Sequence, residues 1–371
     1  MAGAPIFPSR RLRPTPFTER VEGLGVKAYT VYNHMLLPTA FDTLEADYHH
    51  LKKYVQIWDV SVERQVQLEG PDAHKLAIMM SSRDLTNAEP GRCYYAPITD
   101  GKGGMLNDPV ALCIAPDKFW FSIADSDLLL WAAGLAEGLG LNVEVTEPDV
   151  SPLAIQGPMA EDLMAKVFGE EIRSIKFFRF KWFEFAGQMM AIARSGWSKQ
   201  GGFEIYLPDT KLGHALWDEI YQAGAAFNIK PGCPNLIERI EGGLLSYGND
   251  MTRENTPLEI GLEKYCSLDG DVNFIGKDAL RRQRDEGIKR QMMGLRFDGA
   301  PVTPLSIPWP IVENTHDAGI VTSAAYSPDF GCNIALAMLN SDFASVGQRL
   351  TIQSTIGTHN AEVCALPFNK P

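Results

Sequence analysis

Residues Ser195 to Tyr206 read SGWSKQGGFEIY. A strand that starts at Gly202 sets Glu204 and Tyr206 on one face and Phe203 and Ile205 on the other. The glycines ahead of it let backbone approach a ligand closely, and Trp197 sits among them. An acid and a phenol on one face, behind a glycine-rich loop bearing an indole, make one wall of a polar site. An ordinary amphipathic strand with a solvated Glu204 is the plainer alternative, and this stretch read alone does not choose between them.

Three other stretches share that character. In GGMLNDPV, Gly103 to Val110, Asp108 stands at the mouth of an apolar strand, where a buried carboxylate is costly without partners; read by itself it is first of all a turn residue. In NLIERIEGGL, Asn235 to Leu244, Arg239 presents a planar fork suited to a carboxylate or phosphate, or simply pairs with Glu238 or Glu241. The polar run GNDMTRENTPLE, Gly248 to Glu259, closes over a pocket or joins two helices. No Walker loop, dinucleotide fingerprint, nucleophile elbow or zinc motif occurs.

Around these stretches the periodicities alternate. Leu44, Tyr48, Leu51 and Val55 predict a helix from Leu44 to Trp58. Val66 and Leu68 predict a strand, Gly70 a turn, and Pro71-Asp72 a helix start. Strands are predicted at Pro109 to Ala115 and Lys118 to Ile123, followed by a helix to Leu139 capped by Asp125 or Ser126. Next come a strand at Asn142 to Val145, a helix at Met159 to Phe168 stopped by Gly169, and strand signals at Trp182 to Ala193 and Gly202 to Leu207. Helices are predicted at Leu212 to Ala223, Asn235 to Ser246 and Lys277 to Asp285. From about Gln291 only strand and turn signals remain, which predicts a separate all-β module. The class is α+β.

The chain's 371 residues exceed one ordinary core, so two or three domains are expected. A formal net charge of −12 argues against a nucleic-acid or anionic-membrane binder. The first residues, MAGAPIFPSRRLRPTPF, lack the apolar core of a secretory signal, and no run approaches the roughly 20 apolar residues of a membrane helix. The six cysteines are scattered without a C-x-x-C pair, the usage of reduced thiols in a cytoplasmic protein and not of a metal site. His49 and His50 are adjacent on a predicted helix and point to different faces, so no metal is expected there.

Taken in order, the four stretches resemble the glycine-cleavage T-protein (aminomethyltransferase) superfamily. GGMLNDPV is similar to its first folate segment, SGWSKQGGFEIY to its second, and RIEGGLLSYGNDM with TPLE to its third. GIVTSAAYSP, Gly319 to Pro328, and NIALA from Asn333 are similar to its C-terminal signature. The resemblance implies a three-domain ring around a central folate channel: a discontinuous folate-binding domain (1–55 and 142–280), an inserted α+β domain (56–141) and a β-barrel-like C-terminal domain (281–371). It implies that Asp108 is the acid beside the reactive edge of tetrahydrofolate, Glu204 the acid that hydrogen-bonds the pterin, and Arg239 the holder of the glutamate tail. Tyr95, Val110 and Trp197 fall at pterin-lining positions.

Within that superfamily the departures decide the branch. Trp197 replaces a tyrosine, Lys199 a glycine, Gln200-Gly201 a paired acidic step, and Asn107 an aspartate before Asp108. With VYNHMLLPT, WDVSVERQV, SIADSDLLLW and VSPLAIQGP, these look like the dimethylsulfoniopropionate demethylase branch. That likeness implies redox-neutral methyl transfer from a sulfonium to tetrahydrofolate, with Trp197, Tyr206, Phe178 and Ser122 near the sulfonium substrate and Lys199 or a backbone amide on its carboxylate. Expected partners are small molecules alone, with no nucleic acid or membrane, and a homodimer is compatible with all of this. An aminomethyltransferase of the glycine-cleavage type and a non-enzymatic folate-binding protein are the alternatives.

Overall fold

Two open sheets facing each other, and a closed barrel beside them, organise the chain. The computed structural model describes residues 9–314 and 316–369; residues 1–8, where the N-terminal stretch begins, lie outside the described residues. Among the described residues no helix is long and apolar enough to cross a membrane.

The six-stranded sheet runs Phe180–Phe185, Gln188–Ala193, Gly202–Pro208, Val150–Gln156, Gln56–Asp59, Lys230–Gly232. All its pairs are antiparallel except the last. One face buries Leu153, Ile155, Phe203 and Ile205 against the helices Ala160–Phe168 and Gly213–Ala223, through Leu163, Trp217 and Ile220.

The five-stranded sheet runs Glu144–Thr146, Gln65–Glu69, Lys118–Ser122, Val110–Ala115, Arg92–Tyr95. Leu68, Ala111, Phe119 and Phe121 face the helices Ala73–Met80 and Leu128–Gly138. The residues between them in sequence, Cys93, Leu112 and Trp120, point the other way and meet Phe180, Ala191, Ala193 and Tyr206 of the first sheet. Strand alternation therefore gives each sheet an outer face covered by helices and an inner face turned to its partner.

The C-terminal segment is a closed six-stranded barrel, in the order Arg290–Phe297, Cys332–Asn340, His316–Ser327, Trp309–Glu313, Arg349–Ser354, Gly357–Cys364. Leu295, Ile311, Val321, Ala337, Leu339 and Ile352 fill it. Ile334, Leu336 and Met338 alternate outward and pack on Tyr48, Ile237 and Ile240. Polar bonds complete that junction: Tyr48 and Ser327 both donate to Glu241, at 2.8 and 2.5 Å, and Lys52 pairs with Asp329. The α+β class with a terminal β module is the architecture observed.

Several local expectations need correction. The helix read from Leu44 to Trp58 stops at Lys53. Tyr54 leaves helical geometry, and Gln56–Asp59 becomes a fully buried strand of the six-stranded sheet. Its apolar spacing continues a helical period, but its neighbours on both sides are strands. The domain limits move with it: 56–59 pairs with the sheet of 150–232, and Glu144–Thr146, placed with the first domain, pairs with Gln65–Glu69. Neither Asp125 nor Ser126 caps the helix Leu128–Gly138; Asp125 accepts the Asn33 N–H and Ser126 donates to the Leu106 carbonyl. Trp182 to Ala193 is a hairpin, turned at Ala186-Gly187 with positive φ at both residues.

Candidate functional site

Register places three of the predicted side chains in one row. Across the five-stranded sheet Tyr95 pairs with Val110, Val110 with Ser122, and Ser122 with Gln65. All four share the parity of the inner face and look toward the other sheet. Opposite them, Glu204 stands on Gly202–Pro208 between Ala154 and Ala193 on the flanking strands. Both neighbours are alanines, so on this face neither carries a side chain beyond Cβ against the Glu204 carboxylate. Tyr206, on the same face, is fully buried and donates to Glu204 Oε2 at 3.3 Å; Ser195 Oγ donates to the same oxygen at 2.5 Å.

Asp108 leads into the strand Val110–Ala115. The Tyr95 hydroxyl donates to its Oδ2 at 2.8 Å, while its Oδ1 is buried with no hydrogen-bond partner among the described residues. Unpaired buried acceptors are rare and ask for a ligand or water. Asn107, one residue earlier, points to the opposite side. Its amide bonds the Ala124 carbonyl and Ser126, and its carbonyl takes the Ala124 N–H, so it ties the 124–126 loop and does not touch the space beside Asp108.

Two residues singled out for no role complete this chamber. Tyr32 ends the first strand of the N-terminal hairpin Ala28–Tyr32/Met35–Ala40, whose turn residues Asn33 and His34 both have positive φ. The Asn33 side chain donates to the carbonyls of Val62 and Ala124, and its N–H to Asp125, which fastens the hairpin tip across the inserted sheet. Burial, then Glu63 and Asp108, push the Tyr32 phenol well above its ordinary pKa. Glu63 follows the strand Gln56–Asp59; Ser122 Oγ donates to it at 3.4 Å. Both lie inside motifs quoted for their family likeness, VYNHM and WDVSVERQV, which was the only signal available. Tyr265, in van der Waals contact with Tyr95 (ring centroids 4.9 Å apart), adds a further aromatic wall.

Burial raises all three acids. Glu63 stands well above the carboxylate range, through burial and then the Glu204 charge, and Glu204 is raised by burial against the pull of its two donors. Asp108 is pushed by burial from 3.8 to about 7. A raised folded-state pKa means the native chain holds the proton more tightly than the unfolded one. The associated stability is therefore present below about pH 4 and lost as pH rises through about 7. Asp108→Asn keeps an acceptor for Tyr95 and removes that loss. It is expected to match the wild type in thermal stability near pH 4 and exceed it at pH 8, by up to about 4 kcal/mol. Melting curves at the two pH values check this; a pH-independent difference would contradict the buried, proton-holding state.

The other predicted residues have neighbours of their own. Trp197 is half-buried with its ring 5.9 Å from the Arg239 guanidinium. Arg239, on the short helix Leu236–Gly242 that Asn235 caps with its side chain, pairs with Asp250 at 2.7 Å and donates to Ser323 at 2.7 Å. It is thus braced against the barrel, with two of its terminal nitrogens already engaged. Phe178 is half-buried at the inner-face cluster with φ of 56°. Lys199 is exposed, and its N–H goes to Glu238.

The comparisons agree on one family. Residues 17–270 match the model of the GCVT N-terminal domain, and residues 290–370 that of the glycine cleavage T-protein C-terminal barrel domain. A dimethylsulfoniopropionate demethylase of Ruegeria pomeroyi is 52% identical over 95% of this chain and 96% of its own. An aminomethyltransferase of Desulfitobacterium hafniense is 28% identical over 92% of this chain and 93% of its own. The aminomethyltransferase of the Bartonella henselae glycine cleavage system superposes with a TM-score of 0.85 at 23% identity, covering 97% of this chain and 98% of that one.

Proposed function

The chain belongs to the glycine cleavage T-protein family, and from that premise we propose that it is a tetrahydrofolate-dependent demethylase of dimethylsulfoniopropionate, releasing methylmercaptopropionate. One observation of the site carries the reading: Asp108 holds one oxygen engaged by Tyr95 and the other buried without a partner. That is an acceptor prepared for an N–H, and the Glu204 carboxylate across the chamber is a second one. Tetrahydrofolate bound there supplies a neutral secondary amine, N5, as the methyl acceptor.

The chain's own tasks are alignment and proton handling. A sulfonium methyl is already activated: its C–S bond breaks with both electrons going to sulfur, which leaves as a neutral thioether. The new N–C bond forms as that bond breaks, and the N5 proton departs. Asp108, with a pKa near 7, receives that proton and returns it to water at neutral pH. No oxidation state changes. Because the leaving group needs no acid, holding amine, methyl and sulfur in line is the main contribution of the protein, and such alignment is worth up to about 7–11 kcal/mol.

The experiment is incubation with tetrahydrofolate and dimethylsulfoniopropionate, following 5-methyltetrahydrofolate and methylmercaptopropionate. Equal amounts of both products are expected. Their absence, with turnover of a lipoyl-bound aminomethyl group instead, would move the chain to the aminomethyltransferases it also resembles. Trp197→Ala is expected to raise the KM for tetrahydrofolate about tenfold, the scale of one lost aromatic contact. Unchanged kinetics would remove Trp197 from the folate wall and leave it as a cover for Arg239.

A further inference from the structure

We propose that Glu63 determines the site's preference for a cation: its carboxylate supplies the counter-charge for the sulfonium centre. The inference rests on the function proposed above and names the residue that selects its substrate.

Glu63 is placed deliberately. Gln65 Nε2 donates to its carbonyl at 2.7 Å and to Ser122 Oγ at 2.9 Å, leaving the Ser122 hydroxyl proton to reach Glu63 Oε2. The loop behind it is held by the Asn33 amide on the Val62 carbonyl. Gln65 itself is 1% exposed, and its Oε1 has no partner among the described residues. Gln65 Oε1 and Asp108 Oδ1 are thus two buried acceptors left unanswered among the described residues.

The charged groups that act most strongly on Glu63 are Glu204 and Asp108, both acids, and among the described residues none of the three makes an ion pair. Arg64, the next residue, pairs through a terminal nitrogen with Glu147, while its Nε is buried without a partner among the described residues; Arg179 pairs with Glu89 and Arg194 with Glu161. Acids crowded this way hold protons while the space is empty, and a positive ligand favours the ionised form, so Glu63 gives up its proton as the cation binds. A sulfonium has no N–H, so hydrogen bonding cannot recognise it; charge and aromatic faces can. Tyr32 and Tyr206 both lie within electrostatic reach of Glu63. The thioether product is neutral at sulfur and loses this attraction, so the same group favours its release.

The consequence separates binding from turnover. Charge leaves the sulfur as the methyl moves, so the Glu63 interaction is stronger in the ground state than in the transition state. Glu63→Gln is expected to raise the KM for dimethylsulfoniopropionate about 30-fold, the scale of one removed charge partner, with kcat changed less than about threefold. The decisive probe is 4-methylpentanoate, in which carbon replaces the sulfonium, titrated against dimethylsulfoniopropionate. The wild type should prefer the cation, Glu63→Gln should lose most of that preference, and both should bind tetrahydrofolate alike. Glu63→Asp should restore the preference in part; if Glu63→Gln fails to fold, Glu63→Asp carries the test through a smaller KM rise. A wild type that turns over the sulfonium beside a Glu63→Gln that keeps the preference would overturn this assignment alone. A wild type that neither turns over nor prefers the cation would bring down the function as well.

Discussion

Replacing Glu204 with alanine is expected to raise the Kd for tetrahydrofolate about 100-fold. Both internal donors, Ser195 Oγ and the Tyr206 hydroxyl, bind the same oxygen, Oε2, so Oε1 keeps its lone pairs for a ligand. A hydrogen bond to a charged acceptor contributes about 1.5–3 kcal/mol, and two from one heteroaromatic edge reach the stated factor. Alanine also strands the two hydroxyls that Glu204 satisfied. Glu204→Gln is the sharper version, because its amide offers a donor where the ligand's N–H groups need an acceptor. Isothermal titration with tetrahydrofolate decides; wild-type affinity in both variants would remove the strand Gly202–Pro208 from the folate wall.

The second large effect concerns the joint between sheets and barrel. Arg239→Met should destabilise the protein by about 3–5 kcal/mol, because it leaves Asp250 buried without its cation. The Arg239 side chain is 7% exposed and that of Asp250 0%. Asp250 also accepts from Ser246 N–H, Thr322 and Ser323, so one carboxylate ties the short helix, the loop after it and the barrel strand. The expected fall in melting temperature is about 5–10 °C. Adding Asp250→Asn removes the stranded charge while keeping an acceptor and should recover much of the loss. Equal melting of wild type and Arg239→Met would show that apolar contacts alone hold the barrel in place.

What the sequence disclosed depended on the range over which each feature is encoded. Glu204 and Tyr206 were readable directly, because a period of two starting at Gly202 is a local signal. Tyr95, Val110 and Ser122 lie on three different strands, and only register, which no local spacing encodes, lines them up. Tyr32 was hidden by a hairpin whose turn, Asn33-His34, lacks the glycine that usually marks such turns. Glu63 sits in a loop with no periodicity. The run Val55 to Trp58 kept the helical spacing of Leu44 to Leu51, and only its pairing with Leu153–Gln156 and Lys230–Gly232 makes it a strand. Arg239 was legible as an arginine suited to a carboxylate, while the carboxylate it meets, Asp250 in the next motif, was not.

The distance along the chain between the three acids has a bearing on synthesis. Glu204 joins Glu63 and Asp108 only once Gly202–Pro208 has docked beside Val150–Gln156 and across from the inserted sheet. A nascent chain emerging from the ribosome can lay down the five-stranded sheet and its helices, with Asp108 still open to water, before that third charge exists. Domains fold largely in the order they are made, so the like-charge crowding is imposed last. The protein thus assembles its least comfortable feature after most of the scaffold able to bear it is already in place.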